Sequence, residues 1–134
     1  CETLGIQQRF YETLILDYLT FNIDRHLGNI SVLLNSTDYN IIDIAPIYDN
    51  GLSLFASLTD IAYLDNFINT KSPSFYSDFA YAAKIAKQHL PNNHNVEALI
   101  NFKFDKTQLG DFPLDRISVI EEFVQTRVHQ FLSW

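Results

Sequence analysis

The sequence has little basic charge: nine Lys and Arg stand against sixteen Asp and Glu, a formal net charge of −7 and an isoelectric point near 4.8. A basic face for nucleic acid or an anionic bilayer is therefore not expected. It has one cysteine, Cys1, which excludes an internal disulfide and fits a reducing, cytoplasmic compartment. No apolar run approaches the length that spans a bilayer, and no basic-then-apolar leader stands at the front of the given residues. Gly and Pro, four of each, are too few for a low-complexity or fibrous chain. With 134 residues, 47% of them hydrophobic and 14% aromatic, the chain is expected to fold as a single domain, residues 1–134, around one core. The eleven Phe and seven Tyr read as filling for that core.

Apolar residues recur at Ile6, Phe10, Leu14 and Tyr18, with Tyr11, Ile15 and Leu19 beside them, a spacing that predicts a helix from Ile6 to Leu19. Phe21 to Asn29 reads as a loop. Ile30–Leu34 and Tyr39–Ile44, joined by Asn35-Ser36-Thr37-Asp38, predict a β-hairpin that Pro46 ends. Gly51 to Thr70 has no clear period and reads as a long, partly ordered connection. Ser72-Pro73 looks like a cap opening a helix through Phe75 and Phe79 to Leu90. A short helix is expected at about Asn95–Phe102, and a last one from near Asp115, carrying Ile117, Ile120, Val124, Val128 and Phe131 on one face. The expected class is mainly α (α+β): helices with one inserted hairpin.

The chemistry concentrates between Asp24 and Asp49. Asp24 and Asn29 have the D-x-x-x-x-N spacing of a kinase catalytic loop. Phosphoryl transfer needs one carboxylate to orient the attacking hydroxyl and accept its proton. It needs a neutral oxygen a few residues later for Mg²⁺, and a second carboxylate reaching that metal from another segment. A hairpin that folds the chain back can deliver this second carboxylate, and Asp49 follows the hairpin. Arg25 either neutralises phosphate or pairs with an acidic neighbour. His26 reads as a partly buried brace of the loop, and Asn22 as a residue that holds loop backbone.

The segment Asn22-Ile23-Asp24-Arg25-His26-Leu27-Gly28-Asn29, followed by Ile30 to Leu34 and then Pro46-Ile47-Tyr48-Asp49, resembles the catalytic core of HipA-like serine/threonine protein kinases. In that family a P-x-Y-D motif replaces D-F-G. The combined pattern covers roughly Tyr18 to Leu54. Phe21, where relatives often carry a small residue, and Gly28, where a basic one is common, depart from it. The resemblance implies a kinase C-terminal lobe with a helical fold, acting on ATP and a protein substrate. It assigns Asp24 as catalytic base and Asn29 and Asp49 as Mg²⁺ ligands, with Asn22, Arg25 and His26 supporting the loop. It also implies an N-terminal ATP-gripping lobe not contained in these residues, which carry no Gly-rich phosphate loop and no V-A-I-K strand, and so a chain that is inactive in isolation. An antitoxin-like protein partner belongs to the same expectation. Asp-Arg-His-Leu-Gly-Asn is similar also to the loop of phosphoinositide 3- and 4-kinases, which would make Asp43 the second carboxylate. Motif context favours Asp49. A binding module that has lost its ATP chemistry is the third expectation, against which the retention of Asp24, Asn29 and Asp49 speaks.

Overall fold

A computed structural model describes residues 2–71, 76, 78–90 and 94–134, with side chains for all of these but 2–4 and 94. Its first helix, α1 (Glu2–Thr20), buries Leu14, Ile15, Tyr18 and Leu19, while Ile6 and Phe10 are only half-buried. Phe21 ends it with φ of 53°. The amide of Asn22 then reaches back to the carbonyl of Asp17 at 3.1 Å, the six-to-one bond of a helix terminus whose left-handed residue is ordinarily Gly. A side chain in that conformation costs about 1–2 kcal/mol. Phe21 offsets this by complete burial against the rings of Phe55, Phe67, Phe79 and Phe123.

The hairpin pairs β1 (Val32–Leu34) with β2 (Ile41–Ile44), antiparallel, in the register Val32↔Ile44, Leu33↔Asp43 and Leu34↔Ile41 with an irregularity after Leu33. Both strands are shorter than expected. The Ile30 amide closes the preceding 3-10 turn onto Leu27, and Tyr39, at φ of 59°, belongs to the connecting turn. β2 packs on α1 through buried Ile44, while Val32, Leu33, Leu34, Ile41 and Ile42 stay exposed.

The reading of 51–70 as a partly ordered connection is corrected. Phe55 and Leu58 are core residues, and the Leu54 amide bonds to the carbonyl of Thr20 at 2.7 Å. Arg116 donates to the carbonyls of both Phe55 and Leu58. An Asp60-capped 3-10 turn (Ile61–Tyr63) then leads into α2 (Leu64–Thr70). Two apolar anchors, their backbone bonds and a cap order this stretch without any helical period. α3 (Phe79–His89) is capped by Asp78, whose carboxylate accepts from the Tyr81 amide at 2.6 Å. The proposed Ser72-Pro73 cap and Phe75 lie outside the described residues. On α3, Ala82, Ala83 and Ala86 are buried, and their small side chains let it lie closely along α1. α4 (His94–Glu97) stops earlier than expected and gives way to turns through Phe102. α5 (Leu114–Ser133) buries Ile117, Ile120, Val124, Val128 and Phe131, the face that the sequence marks. The structure is thus mainly helical, with one small antiparallel sheet. Among the described residues no helix is long and apolar enough to cross a membrane.

Candidate functional site

Immediately after Phe21 the chain turns polar and stays buried. Asn22 is fully enclosed; its Oδ1 accepts from the Asp24 amide at 3.2 Å, and its Nδ2 donates to Asp17 Oδ1 at 3.2 Å. A 3-10 turn, Leu27–Asn29, closes the loop, with His26 Nδ1 accepting from the Gly28 amide at 3.1 Å. His26 is exposed rather than partly buried. A Cβ on Gly28 would lie 2.9 Å from its ring, so the side chain that caps the turn also restricts position 28. The Asn29 carboxamide is held by Nδ2, which donates to the Asp24 carbonyl at 3.0 Å.

Arg25 organises what surrounds it. Its Nε and Nη2 meet the buried carboxylate of Asp17, with the shortest contact at 3.0 Å. Nη1 donates to the carbonyls of Asn29 (3.3 Å) and Tyr48 (2.8 Å), and Nη2 also donates to Asn50 Oδ1 (2.7 Å). A guanidinium has five N–H donors, and here each has a protein acceptor. Of the two roles the sequence left open for Arg25, the structure realises pairing with an acidic neighbour. Burial pushes the Asp17 carboxyl above its ordinary range, opposed by the hydrogen bond and charge of Arg25 and by Asn22.

Two bonds fasten the P-x-Y-D segment to the loop. The Tyr48 carbonyl takes the Arg25 bond, while Tyr48 Oη donates to the Gly28 carbonyl and pairs with Ser31 Oγ, both at 2.8 Å. Asp49 sits between Tyr48 and Asn50 with φ of 57°. Held backbone on either side imposes this strained conformation on a solvent-exposed aspartate. Behind the junction lies a cavity of about 10 Å³, lined by Thr13, Arg25, Asn29, Ser31 and Pro46 among others, enough for about one water.

Asp43 is placed differently. Its carboxylate pairs with Arg9 of α1 at 3.0 Å and accepts from the Ile44 amide at 2.8 Å. By contrast, the carboxylates of Asp24 and Asp49 and the Asn29 Oδ1 take no hydrogen bond among the described residues. Of these, the Asp49 carboxylate and the Asn29 carboxamide oxygen are donors suited to a hard cation such as Mg²⁺, which keeps several of its waters. Among the described residues no group of three or more His, Cys, Asp or Glu could hold a metal. A site here therefore relies on the amide oxygen.

Sequence reasoning passed over Asp17, and read Asn50 only as part of the P-x-Y-D-N-G context of Asp49, with no role of its own. Asp17 did leave a signal: it is the lone charge in the stretch Leu14 to Phe21, otherwise almost wholly apolar, where an acid requires a buried partner. The signal of Asn50 was its place directly after Asp49 in P-x-Y-D-N-G. Comparison of the chain with protein-family models, curated proteins and solved structures finds no match.

Proposed function

We propose that this chain is the C-terminal catalytic lobe of an ATP- and Mg²⁺-dependent HipA-like kinase that transfers the γ-phosphoryl group to a Ser or Thr hydroxyl of a protein. The observation that carries this reading is the double fastening of Tyr48 to the loop, by Arg25 and by its own hydroxyl. It joins Asp49 to the segment of Asp24 and Asn29 across a whole hairpin. In this reading Asp24, half-buried with its amide fixed by Asn22, orients the acceptor hydroxyl and takes its proton. Asn29 and Asp49 hold Mg²⁺, which neutralises charge on the nucleotide phosphates. Asp43, engaged by Arg9, is the weaker candidate for the metal, which counts against the phosphoinositide-kinase alternative.

The test replaces Mg²⁺ with paramagnetic Mn²⁺. Titrating Mn²⁺ with ATP into the ¹⁵N-labelled chain is expected to broaden the amides of residues 24–29 and 48–50 before any others, even if binding is weak without an opposing lobe. Broadening centred on Asp43, or away from both segments, would overturn the assignment. In a phosphate-transfer assay from labelled ATP on a longer parent that carries the opposing lobe, Asp24→Asn should nearly abolish turnover while leaving nucleotide affinity largely intact, because it removes the base and not a metal ligand.

A further inference from the structure

We infer that Asp17 and Asn50, to neither of which sequence reasoning assigned a role, are the positioning residues that set the spacing between the two ligand-bearing segments, acting through Arg25. The inference rests on the metal–nucleotide reading of Asp24, Asn29 and Asp49. Its own ground is the geometry of the guanidinium. One edge of Arg25 is taken by Asp17, which is rooted in the last turns of α1 and is completely buried. The other nitrogen contacts fan out to the Asn29 carbonyl on one segment and to the Tyr48 carbonyl and Asn50 side chain on the other. The carbonyls of Asn29 and of Tyr48, the residue before Asp49, thus share Nη1 of one planar, rigid guanidinium, Asn50 on the other side of Asp49 is held by Nη2, and the Asp17 carboxylate fixes the orientation of the whole group.

Asn50 completes the arrangement. Its Oδ1 accepts from Arg25 Nη2 and, at 3.4 Å, from Asn22 Nδ2, while Asn22 in turn touches Asp17 and the Asp24 amide. Asp24 and Asn29 are therefore each two hydrogen bonds from the same buried carboxylate, as are Tyr48 and Asn50 on either side of Asp49. Such a device orients ligands without touching the bound group. Loss of an outer-shell partner of this kind typically lowers metal affinity or activity about 10- to 100-fold. All five Arg25 donors being occupied, the arginine has no N–H left for a phosphate.

The experiment measures affinity for Mn²⁺–ATP, by the electron paramagnetic resonance signal of free Mn²⁺, at a temperature where every variant is folded. Asn50→Ala removes one arm at the solvent-exposed end of the network. Arg25→Lys keeps the charge and loses the fork. Val128→Ala, on the buried face of α5, lowers stability without removing any hydrogen bond of the network. Asn50→Ala and Arg25→Lys are expected to weaken binding about tenfold or more, with Val128→Ala unchanged. The paramagnetic broadening of residues 48–50 should also fall relative to that of residues 24–29. Wild-type affinity in folded Asn50→Ala and Arg25→Lys would overturn the positioning role while leaving the metal site intact. Equal loss in Val128→Ala would overturn it as well, by showing that stability alone is read. Absence of Mn²⁺–ATP binding in the unaltered chain would instead remove the functional reading and this inference with it.

Discussion

Two arginines are drawn into the interior of this molecule by opposite means. Arg25 lies in a polar junction, paired with a carboxylate and saturated by backbone and amide acceptors. Arg127, on α5, is surrounded by rings: its guanidinium carbon lies 4.5 Å from the centroid of Tyr18 and 4.6 Å from that of Phe123, with Phe21 and Phe79 slightly farther. It donates to the Tyr18 carbonyl at 2.5 Å, and burial pulls its pKa down to about 10, partly countered by Tyr18 and Asp78. It therefore remains charged at neutral pH. The two sites are neighbours, separated by the turn at Phe21 and Asn22. On one side the charge is fixed in direction by hydrogen bonds. On the other it is held by ring faces, which are tolerant of orientation and serve packing.

The contrast can be broken by substitution. Asp17→Leu should have the largest effect, about 3–5 kcal/mol in denaturant unfolding, because it leaves the Arg25 charge buried and unpaired. Adding Arg25→Leu should recover part of that loss; no recovery would mean that the backbone contacts of Arg25, not its charge, dominate. Arg127→Met should cost less, about 2 kcal/mol, since an apolar side chain suits the ring cage and only the cation–π attraction and one hydrogen bond are lost. If Arg127→Met equals or exceeds Asp17→Leu, the distinction between the two sites fails. His26→Ala removes the cap of the 3-10 turn and should cost about 1 kcal/mol, read in the same unfolding experiment.

A pH series sharpens the comparison further. Glu121 accepts from Lys103 Nζ at 2.7 Å and the Phe104 amide at 2.9 Å, which hold its carboxyl below the ordinary value of 4.5. Its contribution to stability is fully present above pH 4.5 and is lost as pH falls through the lowered folded value. Asp17 has the opposite sign: its folded pKa is raised above 3.8, so its own contribution declines as pH rises from about 3.8 through the raised value. Glu121→Gln should flatten the loss of stability below pH 4.5, measured by unfolding at successive pH values. An unchanged acid limb would reassign that limb to other carboxylates.

How far the sequence could be read depended on the kind of signal. Helices with a regular apolar face, at Ile117 to Phe131 and Leu14 to Leu19, were legible because periodicity and burial share one cause. The loop and the P-x-Y-D segment were legible as motifs, and the structure places Tyr48 against the loop. The ordered course of 51–70 was not legible, because Phe55 and Leu58 are isolated anchors with no period and are fixed by Arg116 from the far end of the chain. The position of Phe21 was visible only as a departure from expectation. Its left-handed backbone explains why a small residue would suit the turn, and its ring contacts explain why a large one is kept.

In the proposed function Asp49, and not Asp43, shares a metal–nucleotide site with Asp24 and Asn29. Mn²⁺–ATP binding to Asp49→Asn and Asp43→Asn tests it most directly. Asp43→Asn removes a partly exposed ion pair with Arg9 and should change stability by less than about 1 kcal/mol. With Asp43→Asn the broadening at residues 24–29 should persist at wild-type affinity, while Asp49→Asn should abolish it. Loss of binding in Asp43→Asn with retention in Asp49→Asn would contradict the account.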